Sequence, residues 1–433
     1  MKFVNLIREY QSDPANLETL YQQAARQNNA AEFTSDLQAV HSETPDNILF
    51  QAWFYRLQAV AEVGRKIYWK LALPLAALCG LILWIASDDS YQFIDRIPLF
   101  ILLAPPVIGT GMLAYLALAS QKGYLKALWL SAGLLVATVY ILLAVPTMPE
   151  KAQYQAVDLM ALHLPALALA AVGAFTTGVR SDARQRFAFV IKSLEVVTTG
   201  GLFAIALGIF GMVTLGLFDA LRITIPEIFL RLITAGVGGM VPVIAVAIIY
   251  NPLATPADQD FSQGLSKFLG SLLRLMIVPT LVVAVVYTAF IPFNFMEPFN
   301  NRNVLIIYNA MLFAVMGLLV GVTPVHQEEL SPALQKWLRG AIMAVAGLAV
   351  LVSLYALAAI VYRTWADTLT MNRMVVIGWN IVNIAVLSFL LFGQVRVGQG
   401  QWALEIKRAF YLATMGYTAW ACLVVVLVPL LFR

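Results

Sequence analysis

The stretch from residue 340 to residue 362 reads GAIMAVAGLAVLVSLYALAAIVY, twenty-three residues without a charge. A helix rises 1.5 Å per residue, so this run reaches about 34 Å and crosses a hydrocarbon layer of about 30 Å. Working outward, runs of similar character lie at 69–87, 97–119, 126–146, 157–178, 193–218, 228–250, 272–293, 304–323, 374–393 and 409–432. With 340–362 they make eleven expected spans. The first is the shortest, and the joint after it is acidic, with Asp88, Asp89 and Asp95. Composition agrees: 61% of the 433 residues are hydrophobic and 12% are charged, about half the charged share of an ordinary soluble domain. The expected fold is all-α, a polytopic integral membrane protein of about eleven transmembrane helices (residues 68–433) with a small N-terminal helical cytoplasmic cap (residues 1–67).

Orientation follows from the cations. With the N-terminus inside, the inner flanks carry 16 Lys and Arg residues, from Arg65 and Lys66 to Lys407 and Arg408. The outer flanks carry 8: Arg96, Lys151, Arg222, Arg231, Arg302, Arg363, Arg373 and Arg433. Cytoplasmic loops collect Lys and Arg, so the expected setting is the bacterial inner membrane, N-terminus cytoplasmic and C-terminus outside. The net charge of +4 reads as this topology signal and not as a nucleic-acid footprint, leaving the lipid bilayer as the first partner. A polar, helix-like N-terminus argues against an ordinary secretory signal peptide. Cys79 and Cys422 both lie inside apolar runs, which argues against a disulfide framework or a metal cluster.

The polar region has clear helix punctuation. Asp13 before Pro14 is an N-cap with proline at the first helical position, opening a helix through about Gln27. A second helix runs from Ala30 to His41, and Pro45, Asp46 and Asn47 start a third. Leu17, Leu20, Ala24, Phe33, Leu37, Val40 and Pro45 fall near the spacing of a degenerate tetratricopeptide unit, with Tyr21 and Phe33 where that repeat wants small residues. Phe50, Trp53 and Phe54 in the third helix form a candidate partner surface. The alternative is a small amphipathic helical cap packed on the membrane domain.

Enzyme signatures are sparse. The three histidines, His41, His163 and His326, show no metal-ligand spacing, and there is no phosphate loop or nucleophile elbow. No cofactor and no catalysis are therefore expected. His163, a turn from Asp158, fits either a proton relay or a hydrogen-bonded interfacial histidine.

Pro105, Pro106, Pro165, Pro242 and Pro279 sit inside expected spans, and each frees a backbone carbonyl that lipid cannot satisfy. Gly236, Gly238, Gly239 and Pro242 make the sixth span the best place for an interrupted helix of the transporter kind, or for a kink with close helix packing. Asn309 in the eighth span, and Asn380 with Asn383 on one face of the tenth, form a candidate polar membrane site. Interhelical hydrogen bonds are the competing explanation.

From about residue 190 to 393, and best from 265, the order of features resembles a family of bacterial polytopic membrane proteins called domain of unknown function 4153. The residues carrying the resemblance are Leu273, Arg274, Val278, Pro279 and Tyr287, then Leu338 and Arg339, then Tyr355. The most specific are Arg363 and, further on, Leu369, Thr370, Met371, Asn372 and Arg373. Asp367 and Thr368 depart from the Tyr-Gly that the family tends to carry there. The resemblance implies a shared membrane fold and no known activity.

Arg363, Asp367, Thr370, Asn372 and Arg373 also form a candidate anion or lipid-headgroup site, if the turn holds its two arginines together. Otherwise Thr370 caps the tenth span and the arginines anchor it at the interface. Three functions stay open: an accessory or scaffold protein docking a partner through its cap, a transporter or channel-like protein using interrupted helices, and a membrane enzyme acting on lipid.

Overall fold

The computed structural model describes residues 3–26, 29–62, 67–178, 181–261, 264–327, 330–398 and 400–433. The chain divides into two units, Met1–Lys66 and Ile67–Arg433.

The first unit contains α1 (Val4–Glu9), α2 (Pro14–Arg26), α3 (Ala30–Glu43) and α4 (Ile48–Glu62). Two of its helix starts, those of α2 and α4, are set by short polar side chains. Asp13 Oδ1 accepts from the amides of Ala15 and Asn16 at 3.1 and 3.0 Å, and Asn47 Oδ1 from those of Leu49 and Phe50 at 2.9 and 3.1 Å. Each satisfies donors that a helix N-terminus leaves over. The helices close on Ile7, Leu17, Phe33, Leu37, Phe50 and Trp53.

The second unit is the membrane domain. Among the described residues, eleven helical spans are long and apolar enough to cross a bilayer. They are α5 (Trp69–Ala86), α6 (Phe100–Ser120), α7 (Tyr124–Ala144), α8 (Glu150–Thr177), α9 (Ala183–Ala220), a compound sixth span, α12 (Gly264–Phe290), α14 (Arg302–Val322), α15 (Pro332–Ala366), α16 (Met371–Arg396) and α17 (Trp402–Leu431). The sixth span joins α10 (Glu227–Arg231), a π-helical turn at Leu232–Val237 and α11 (Gly238–Ile249). A short helix, α13 (Glu297–Asn300), precedes α14. Between α5 and α6 two short strands, β1 (Gln92–Phe93) and β2 (Ile97–Pro98), pair antiparallel.

Helices this apolar show little sidedness, so small residues decide which faces meet. α5 packs against the sixth span through Gly80, where an added Cβ would stand 2.5 Å from the Gly236 carbonyl oxygen. Gly236 and Gly239 of the sixth span thus serve close packing, and of the two readings of this stretch the span is continuous through one π turn rather than interrupted. One core gathers α5–α8 and α11 around Leu113, Tyr115, Leu134 and Val243. A second gathers α9, α12 and α14–α17 around Leu312, Leu319, Ile342, Leu387 and Trp402.

α9 is 38 residues long, about 57 Å, which exceeds the hydrocarbon layer. Its first third carries Arg184, Arg186 and Lys192 at the end of the bundle where Lys70, Lys122, Lys126, Lys267, Lys336 and Lys407 also lie, the lysine-rich end, and from Leu202 onward its side chains are mostly exposed. In a bilayer that exposed surface meets lipid or another membrane helix.

Candidate functional site

A cleft of about 720 Å³ opens between α9, α12 and α14, within the size range of small-molecule sites. Its lining on α12 extends from Ser266 to Val283, about 25 Å along the helix axis. Glu195, Ser266, Thr323 and His326 line the lysine-rich end, and Arg274 projects further along. Beyond it the walls are apolar: Met276, Pro279 and Val283 on α12 face Met311, Ala314 and Val315 on α14. Met276 and Val283 are exposed, so the cleft is open sideways. α12 and α14 close up where Gly321 leaves room for the Leu273 side chain.

The polar end is built on a buried ion pair. Lys192 Nζ donates to Glu195 Oε2 at 3.1 Å, to the Asp260 carbonyl at 2.5 Å and to Ser266 Oγ at 3.1 Å. Ser266 in turn donates to Glu195 Oε1, and the ammonium stands 4.6 Å from the centroid of the Phe261 ring. Both charged side chains are 5% exposed. Losing one partner of such a pair typically costs about 3–5 kcal/mol. Neither residue stands out in the sequence, where Lys192 is one of the sixteen inner-flank cations; the signal for this site is their i, i+3 spacing at the mouth of a span.

The three asparagines come together deeper in the bundle. Asn380 Nδ2 donates to Asn309 Oδ1 at 2.8 Å and to the Val376 carbonyl at 2.9 Å. Asn309 Nδ2 donates to the Leu305 carbonyl at 2.7 Å, and Tyr417 Oη donates to Asn383 Oδ1 at 2.5 Å. These bonds tie α16 to α14 and α17. From the residue next to Asn380, Trp379 Nε1 donates to His163 Nε2 at 3.2 Å, and His163 Nδ1 lies 2.7 Å from the Leu159 carbonyl. That arrangement requires a neutral imidazole protonated on Nδ1. Both ring nitrogens are thereby occupied, which favours the hydrogen-bonded histidine over the proton relay.

At the other end, Thr370 Oγ1 caps α16 by accepting from the Arg373 amide at 3.4 Å. Arg373 Nη1 donates to the carbonyls of Arg363 and Thr368 at 2.9 and 2.7 Å, and Nη2 to Asp367 Oδ2 at 2.7 Å. Arg373 thus closes the turn and binds the backbone of Arg363, so its own guanidinium is taken up within the turn, while Arg363 Nη1 is buried without a hydrogen-bond partner among the described residues. Asn372 is half-buried on the first turn of α16.

The aromatic partner surface also needs correction. Phe50 is 1% and Trp53 5% exposed, because both complete the core of the first unit beside Phe33 and Tyr21. Phe54 is half-buried, its ring 4.8 Å from that of His41. Among the described residues, no three His, Cys, Asp or Glu side chains are grouped to hold a metal ion.

No family model matches the chain, and neither a curated protein nor a solved structure matches it.

Proposed function

We propose that the protein is a transporter-type membrane protein that takes an amphiphilic molecule from the bilayer into the α9–α12–α14 cleft. The observation that carries this reading is the cleft's own polarity. One end is ionic and hydrogen-bonding, and the rest is an apolar groove open sideways between spans. An acyl or prenyl chain lying in the groove gains about 0.8 kcal/mol per buried methylene relative to water. Relative to lipid it gains little, so selectivity rests with the polar end.

The surrounding picture is a bacterial inner membrane with the lysine-rich end cytoplasmic, supported by the cation bias. It sets the ionic end of the cleft at the inner leaflet. The resemblance to domain of unknown function 4153 is compatible with this reading and adds no activity.

Lipid retention tests the proposal. Gly317 lines the cleft, and an added Cβ there meets nothing within 4 Å, so Gly317→Trp starts its side chain in open space and is chosen to fill the groove. Native mass spectrometry of the wild type is expected to show one strongly retained amphiphile, lost in Gly317→Trp. Equal retention by both proteins would refute the proposal.

A scaffold role is favoured by a different observation, the exposed side chains of α9 from Leu202 onward. It predicts a stoichiometric complex after gentle solubilisation, broken by bulky substitutions on that face. A free monomer that keeps its amphiphile would exclude it.

A further inference from the structure

The seam between α15 and α16 holds polar atoms that the protein's own hydrogen bonds do not use. Among the described residues, Ser353 Oγ, Asn380 Oδ1 and Asn383 Nδ2 are buried without a hydrogen-bond partner, and all three residues are 0% exposed. They share one level of the bundle. Ser353 lies between Ala349, which packs in the cluster of Val386 and Leu387, and Ala356, which packs in the cluster flanked by Val376 and Ile377. The antiparallel course of α15 and α16 therefore sets Ser353 at about the same height in the bundle as Asn380 and Asn383.

The chemistry of this set is specific. Asn309 Oδ1 accepts from Asn380 with one lone pair and has a second to offer. The two ends of an Asn amide are assigned from their surroundings. Turning the Asn383 amide lets its nitrogen donate to Tyr417 Oη and brings its oxygen into the seam. The result is a group of neutral hard oxygens from Asn309, Ser353, Asn380 and Asn383. Ca²⁺ and Mg²⁺ sites are built mainly on carboxylates, and zinc takes imidazole or thiolate. Neutral oxygens alone suit a weakly demanding monovalent ion.

We propose that these four residues form a monovalent-cation site of about sodium size. The site does not depend on the amphiphile reading, but it bears on the same wall. Asn309 and the cleft-lining residues Met311, Ala314, Val315 and Leu318 lie on opposite faces of α14. A bound ion would thus hold α14 against α15 and α16 while the amphiphile occupies its other side.

Thermal unfolding of the purified full chain in NaCl, KCl and choline chloride at constant ionic strength tests the site. The expected result is a saturable rise in Tm with Na⁺ and none with choline. Ser353→Ala removes one oxygen with almost no change of shape and should weaken the apparent Na⁺ affinity at least tenfold. Asn380→Leu should abolish the response. Identical Tm in NaCl and choline chloride would mean that water satisfies these atoms, and would overturn the proposal. A sodium response unchanged in Ser353→Ala would place the ion elsewhere and overturn it equally.

Discussion

Asn380 reaches across the bundle to Asn309, 71 positions away in the chain, and donates to its amide oxygen at 2.8 Å. The bond is part-buried between two spans, with the Asn380 side wholly buried. Removing one partner therefore costs more than the bond's modest net worth, because the other amide is left unsatisfied. We expect Asn380→Leu to lower stability by about 1–3 kcal/mol. Asn309→Leu should cost less than Asn380→Leu, since Asn309 is only partly buried. The double variant should fall well short of the sum of the two, a coupling that thermal unfolding in detergent measures through a double-mutant cycle.

The Lys192–Glu195 pair gives a second prediction. Either Lys192→Met or Glu195→Gln leaves its buried partner uncompensated, and each should destabilise by about 3–5 kcal/mol. Lys192→Met with Glu195→Leu should be milder than either alone, because no charge is left behind. A double variant as unstable as the two singles combined would show that the hydrogen bonds to Asp260 and Ser266 matter more than the pairing of charges.

Helix packing predicts opposite outcomes at two nearby glycines. An added Cβ at Gly80 would approach backbone, the Gly236 carbonyl at 2.5 Å, whereas at Gly238 it meets nothing within 4 Å. Gly80→Ala should force α5 from the sixth span at a cost of about 1–3 kcal/mol. Gly238→Ala should be neutral or stabilising through helix propensity. Equal melting temperatures for the two variants would contradict this packing.

In the first unit, two hydrogen bonds from Arg56 to Glu18 hold the Glu18 carboxyl below its usual range, with Gln22 adding to the effect. A lowered carboxylate pKa contributes stability that is present above the unfolded value and is lost as pH falls through the folded one. Amide protection factors over α2 and α4, corrected for the intrinsic exchange rate at each pH, should therefore fall below about pH 4.5 in the wild type. Glu18→Gln should reduce that acid dependence. The effect is small, as for any solvent-exposed pair.

Much of the fold was legible because hydrocarbon imposes one requirement, about twenty apolar residues per crossing, and each of the eleven runs meets it. Asp13 and Asn47 were legible as helix starts for an equally local reason, since a cap needs only its own side chain and the next three amides. Asn380 and Asn383 share a helix face by spacing alone, but their partners Asn309 and Tyr417 depend on which spans adjoin, and no local rule supplies that. α9 was read as starting at 193 because Arg184, Arg186 and Lys192 look like a loop. In fact the helix begins at Ala183 and buries Lys192 against Glu195 on its way into the bundle. Phe50 and Trp53 mark an apolar face without saying what covers it, and the cover proved to be α2 and α3 of the same unit.

Site-resolved photo-crosslinking tests most directly whether the α9–α12–α14 cleft holds an amphiphile. Full-length protein in nanodiscs would be labelled with a photoactivatable, clickable fatty acid or phospholipid and mapped by peptide sequencing. We expect labelling concentrated on Met276, Val283 and Met311, at least tenfold above the outward-facing residues Ile205, Ile209 and Val213 of α9, which are exposed, and lost in Gly317→Trp. Labelling spread evenly over every lipid-facing residue and unchanged by Gly317→Trp would contradict the account.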